Sequence, residues 1–269
     1  MNLKNARFIF LLAGSIFFLP AALIADSAEP QVPAGNYEKA VNFLKQDQYD
    51  PAIEYFQKAL EDDHRPAGQA RIYNWIGLAY LKQGVSQSSA IGSFEQAIKL
   101  DPQFAEAYFN IASAYAGNNA DPEKAAEYFQ KTIEIDPHYF KAYFGLGWFT
   151  LMQKDDPAKA IEYFQKTIEQ YPEFAEAHYG LGLAYIRTHK PHMALGAVSQ
   201  LRNLKRDDLA AVLEKAITEV SPPSDSTPVP AVTEGVAPPT VSAPPQAASK
   251  PKGHSPFEMM LKGRIKKAS

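Results

Sequence analysis

The chain has 269 residues, 46% of them hydrophobic and 21% charged, with no cysteine and a net charge of −3. That composition suits folded soluble domains, and the lack of cysteine excludes disulfides, thiol nucleophiles, thiolate metal sites and the cysteine-borne anchor of a bacterial lipoprotein. The charge is split, with 19 basic and 27 acidic side chains in residues 26–220 and six basic and one acidic in residues 250–269, so the body does not suit a phosphate-backbone binder.

Lys4 and Arg7 precede an apolar run from Phe8 to Leu19, followed by Pro20, AALIA ending at Ala25 and the polar Asp26-Ser27-Ala28-Glu29. A positive start, an apolar stretch and a small residue before a polar segment make a secretory signal peptide over residues 1–25. The alternative is an uncleaved anchor in the inner membrane, since the apolar stretch nears the roughly 18–20 residues that span a bilayer. Either reading exports the rest of the chain, and a bacterial periplasm or cell envelope is expected.

Self-similarity then governs residues 35–220. Asp101-Pro102, Asp136-Pro137 and Tyr171-Pro172 recur every 35 residues, as do Tyr73, Tyr108 and Tyr143, with His178 next on that grid. Small residues follow the same spacing at Gly77, Ala112, Gly147 and Gly182. A second set runs Ala52, Ala90, Ala125, Ala160 and Ala194, each followed four residues later by Phe56, Phe94, Phe129, Phe164 or Val198. Tyr108, Ile111, Ala112 and Tyr115 share one helical face, and Ala125, Phe129, Thr132 and Ile133 form the stripe of a second helix. Asp121-Pro122 and Asp156-Pro157 read as an N-cap followed by proline at the first helical position. One such pair cannot bury its apolar face alone, but a stack of them can.

These residues resemble the tetratricopeptide repeat family: YFGLG at 143–147, Ala160, Phe164 and Pro172 match its aromatic-Leu-Gly…Ala…Phe…Pro pattern. The resemblance implies an all-α fold, an α-solenoid of about five helix-turn-helix repeats. A terminal capping helix at 209–220 (LAAVLEKAITEV) and a Pro-rich tail follow. It also implies that first helices line a concave groove. On that expectation Asn74, Phe109, Asn110, Lys141, Phe144, Trp148, Tyr179 and Arg187 face the groove, together with Leu78, Lys82, Ser113, Met152, Glu176 and Leu183. Phe109, Phe144, Trp148 and Tyr179 would be exposed anchors for a partner peptide or helix, and the asparagines would pair with its backbone. The opposing reading is that neighbouring helices bury these rings, or that a homodimer does. A carboxylate-gripping subclass of the family uses two Lys, two Asn and one Arg. Here Asn110 and Lys141 match it, but Asn74, Leu78 and Gly145 do not, so carboxylate recognition is not expected.

No catalytic constellation emerges. GLG at 145–147 and 180–182 lies mid-helix without a preceding strand, which makes it a packing device and not a dinucleotide loop. His189 and His192 sit at a proline-bearing turn without a third ligand, and Asp62-Asp63, Asp155-Asp156 and Asp207-Asp208 belong to turns, where carboxylates cap helices or meet solvent. No cofactor, metal or nucleic acid is expected.

Ten of the 21 prolines fall in residues 221–256, which read as a disordered, partly polyproline-II linker. A short basic tail follows, with Phe257, Leu261 and Ile265 on one helical face and Lys262, Arg264, Lys266 and Lys267 around them. It reads as a docking element for a second partner or an anionic membrane surface, as a solvated tail, or as a segment that folds back on the acidic repeats. The whole sequence thus reads as a non-catalytic adaptor of the bacterial envelope. A self-assembling scaffold is the alternative, and an accessory subunit of a cell-wall enzyme or of a secretion or pilus machine comes after it.

Overall fold

The computed structural model describes residues 35–84, 86–117 and 121–220, and within them every regular element is a helix. In chain order these are α1 (Asn36–Lys45), α2 (Tyr49–Asp62), α3 (Pro66–Gln83), α4 (Gln87–Leu100), α5 (Ala105–Ala116), α6 (Pro122–Ile135), α7 (Phe140–Met152), α8 (Pro157–Gln170), α9 (Ala175–Arg187), α10 (Pro191–Asn203) and α11 (Asp207–Val220). They form five hairpins and a last single helix. Each odd-numbered helix packs on the helix that follows it, and each even-numbered helix packs on the first helix of the next hairpin. The signal or anchor segment, the Pro-rich linker and the basic tail (Phe257, Leu261, Lys262, Arg264, Ile265, Lys266 and Lys267) lie outside the described residues.

Local chemistry sets the helix boundaries. Asp121 and Asp156 accept hydrogen bonds from the backbone N–H of Lys124 and Lys159, each with proline at the first helical position. Ser86 performs the same task for α4 through Ser89 N–H. At the repeat ends, Asp101 Oδ1 accepts from Gln103 N–H at 3.0 Å and Asp136 Oδ1 from His138 N–H at 2.9 Å. These side-chain turns stop the second helix and redirect the chain into the next first helix. Tyr171 lacks the acceptor, yet the backbone turn from Phe174 N–H to Tyr171 O, 3.1 Å, persists there.

One ring per repeat locks the stack. Phe164 is fully buried on α8 and meets Gly147 of its own hairpin and Gly180 of the next; a Cβ at those glycines would lie 2.7 and 2.6 Å from the ring. Phe94 stands against Gly77, and a Cβ at Gly145 would lie 2.5 Å from Phe129. No larger residue fits at these glycines without displacing an aromatic ring that has nowhere to go. One turn later, buried Thr132 and Thr167 return their hydroxyls to Tyr128 O and Tyr163 O at 2.8 and 2.9 Å, so neither is an unsatisfied polar group.

The fifth hairpin carries Val198 where the others carry phenylalanine. The vacant volume is filled from the next helix, because Leu213 of α11 closes on Gly182. Helix α11 packs on both α10 and α9, so it caps the array by supplying the missing wedge.

Two stability measurements check this account. Gly180→Ala gains helix propensity but drives Phe164 from its slot, so it should destabilise by about 1–2 kcal/mol. Gly196→Ala, on α10 with open space around it, should stabilise by about 0.5–1 kcal/mol. Urea unfolding with the same sign for both variants would contradict the wedge. Leu213→Ala should cost about 2–5 kcal/mol and release α10 and α11 together, read as simultaneous loss of amide protection in both helices.

Candidate functional site

First helices of neighbouring hairpins touch one another, α3 with α5, α7 with α9 and α9 with α11, whereas second helices of neighbouring hairpins approach less closely. The first helices therefore lie on the inner side of the array. Polar rungs cross this side between consecutive first helices. Asn110 Nδ2 donates to Asn74 Oδ1 at 2.8 Å, and both residues are buried. Arg187 donates to Leu151 O at 3.1 Å and pairs with Asp155. Arg206, just before α11, donates to Glu176 at 2.9 Å and to Asp208 at 3.0 Å.

The expected exposure of the inner aromatics is corrected. Phe144 is 1% exposed and Trp148 4%, and Phe109 and Tyr179 are likewise buried. Phe144 meets Phe174 edge-on at 4.9 Å, Trp148 meets Phe164 at 5.7 Å, and Phe109 lies 4.9 Å from Tyr139. Adjacent first helices come close enough to take these rings into the shared core. Asn74 and Asn110 bond each other, and Arg187 ties the fourth hairpin to the fifth. Lys141 is half-buried; burial pulls its ammonium below the ordinary lysine range, and Glu106 partly offsets this. What remains partly open on the inner side is Leu78, Ser113, Met152 and Leu183, with Lys82 exposed. Beside them, the Trp148 Nε1–H is buried without an acceptor among the described residues. An orphan donor of this kind costs about 1–3 kcal/mol.

Three features escaped sequence reading. Phe104, Tyr139 and Phe174, spaced by 35, stand just before the first helices and plug the junctions between hairpins. Arg71, Glu106, Lys141 and Glu176 occupy one grid position with alternating charge. Both series share the spacing already used for the tyrosines, so the signal was present. The third is Asp63, expected in a turn where it caps a helix or meets solvent. It is buried, accepts Arg65 Nε and Nη2 at 2.9 and 2.8 Å, and closes against Gly68. The Arg65 guanidinium holds the Asp63 carboxyl below the usual carboxylate range. Both glycine pairs, 145 with 147 and 180 with 182, lie inside helices against rings and leucine. Among the described residues no group of three or more His, Asp or Glu could hold a metal, and no described helix is long and apolar enough to cross a membrane.

Burial pushes the Tyr179 hydroxyl up to about 12, whereas an unfolded tyrosine ionises near pH ~10. The stability that this group contributes is complete below pH ~10 and is lost as pH rises towards 12. Lys141, lowered by burial, works in the opposite direction below its unfolded value of about 10.4. Tyr179→Phe should therefore flatten the alkaline loss of stability by roughly 1–3 kcal/mol, measured by urea unfolding between about pH 9 and pH 12. An unchanged slope would mean that the hydroxyl is hydrated.

Four tetratricopeptide repeat models match the chain, at residues 37–85, 86–119, 105–139 and 151–216. A curated relative, the chloroplastic tetratricopeptide repeat domain-containing protein PYG7 of Arabidopsis thaliana, is 28% identical over 100 residues. That match covers 35% of this chain and 33% of the relative, so the chain spans about a third of its length. Among solved structures, MamA is similar at 24% identity with a TM-score of 0.52, covering 72% of this chain and 96% of that one. YrrB, described as a repeat protein of this kind with an unusual peptide-binding site, is similar at 22% identity with a TM-score of 0.53, covering 67% and 90%. Both likenesses concern the fold. With repeat matches running through residues 37–139 and 151–216 on five stacked helix hairpins, the chain belongs to the tetratricopeptide repeat family.

Proposed function

We propose that the chain is a non-catalytic scaffold for protein–protein interaction that holds a partner peptide or helix along the inner side of its first helices. The observation that carries this reading is the row of partly open apolar residues there, Leu78, Met152 and Leu183, flanked by Lys82, Lys141 and Glu176. Apolar anchors framed by charges suit an amphipathic segment laid across successive helices. The peptide-binding site named for YrrB supports the same reading by analogy of fold. The composition of residues 1–25 supports export, with the array working in a bacterial periplasm or envelope.

The burial pattern dictates which variants test the surface. Phe144→Ala with Trp148→Ala removes core rings, and each large-to-small change of this type costs about 3–5 kcal/mol, so that variant would unfold the array and report nothing on binding. Met152→Glu with Leu183→Glu alters partly buried side chains that also pack against the core, so some loss of stability is expected and binding is compared where circular dichroism shows both proteins folded. In-cell crosslinking of the full chain should then capture a partner with the wild type and lose it, by at least tenfold, with the double-Glu variant. Equal capture by both would remove the inner side as the binding surface.

A further inference from the structure

Charge is sorted between the two sets of helices. The first helices α1, α3, α5, α7 and α9 carry six cationic and three anionic side chains, whereas their partners α2, α4, α6, α8 and α10 carry seven and ten. Helix α3 holds Arg71 and Lys82 without a carboxylate. The first helices are thus net positive in an array, residues 35–220, that totals 19 basic and 25 acidic side chains.

Ring contacts fix the register of α1 within this pattern. Tyr37 lies 5.9 Å from Phe56, as Phe109 lies 5.8 Å from Phe129 and Phe144 6.0 Å from Phe164. Val41 and Lys45 then take the places that Leu78 and Lys82 hold on α3, and that Trp148 and Met152 hold on α7. The place of Lys45, Lys82 and Met152 runs along the neighbouring first helix, since Arg187, which holds it on α9, reaches Leu151 O of α7 at 3.1 Å. Lys45 and Lys82 are exposed, and among the described residues neither has an ion-pair or hydrogen-bond partner. Val41 and Leu78 stand partly open one turn away from them. Glu38 is the one carboxylate of α1, and it holds the register of Gly145 and Gly180, which face the preceding hairpin. It therefore faces the N-terminal end of the array and leaves the inner cations uncompensated. Further along, Glu176 is already engaged by Arg206 at 2.9 Å.

On the reading that the inner side is the binding surface, we propose that its occupant is a protein segment acidic at one end and apolar at the other. The Asp and Glu side chains of that segment meet Lys45 and Lys82 over α1 and α3, beside apolar contacts with Val41 and Leu78. Its apolar stretch lies on Met152 and Leu183 over α7 and α9. The contacts are with side-chain carboxylates, at places other than those of the terminal-carboxylate grip that this chain lacks. The net negative charge of the array favours a basic segment at long range, so a preference for an acidic one has to come from these local cations.

The probe is a fluorescein-labelled peptide with glutamates at one end and leucines at the other, set against a twin with lysine for every glutamate. Fluorescence anisotropy on the full chain should show the glutamate peptide binding at least tenfold tighter than its twin at low salt. Added salt should shrink that margin by screening the pairs. Lys45→Glu with Lys82→Glu alters exposed side chains and leaves the basic residues 250–269 intact, and it should weaken the glutamate peptide at least tenfold. Absent binding of the glutamate peptide, equal affinity for the twins, or indifference to the lysine pair would overturn the proposal. The inner-side reading fails separately. If the twins bind equally and Met152→Glu with Leu183→Glu weakens both, the surface stands and the acidic assignment alone falls. If neither pair of substitutions alters binding, the surface falls with it.

Discussion

A single ring held between small residues on two helices is the constraint on which this array depends. Phe164 touches Gly147 in its own hairpin and Gly180 in the next, so the same contact that closes one repeat also docks its neighbour. Pairing and stacking are therefore one energetic event, and stability propagates from neighbour to neighbour as in other linear repeat arrays. Because the ring cannot yield, the grid position opposite it must stay Gly or Ala. The sequence obeys this at Gly77, Ala112 and Gly147, and Gly182 keeps the same small residue against Leu213.

Close approach on the inner side has a second consequence. First helices near enough to share Asn74–Asn110, Leu151–Arg187 and Glu176–Arg206 contacts leave no room for large rings to stand out between them. Phe109, Phe144, Trp148 and Tyr179 are drawn into the core, where they strengthen the curved array instead of lining an open cleft. Binding capacity moves outward to the smaller set of half-open side chains at Leu78, Met152 and Leu183.

The C-terminal end shows how such an array stops. Loss of phenylalanine at Val198 would leave a void, and Leu213 enters it from α11. The outer side of α11 is only partly converted to a solvent face, since Lys215 and Glu219 alternate with Val212 and Ala216.

The sequence by itself determined the helix pairs, their number, their caps at Asp121 and Asp156, and the packing purpose of the mid-helix glycines. All of these follow from spacing and local backbone chemistry, which act over a few residues and repeat every 35. The tertiary structure alone decided which side chains are open. In a helix, the position of Trp148 or Tyr179 looks the same to local chemistry whether the neighbouring helix stands close or far. The use of Asn74, Asn110 and Arg187 as rungs likewise depends on partners 36 residues away. Periodicity assigns each residue to a face, but the distance between helices settles whether that face meets water or a neighbour, and that distance is set by the whole stack.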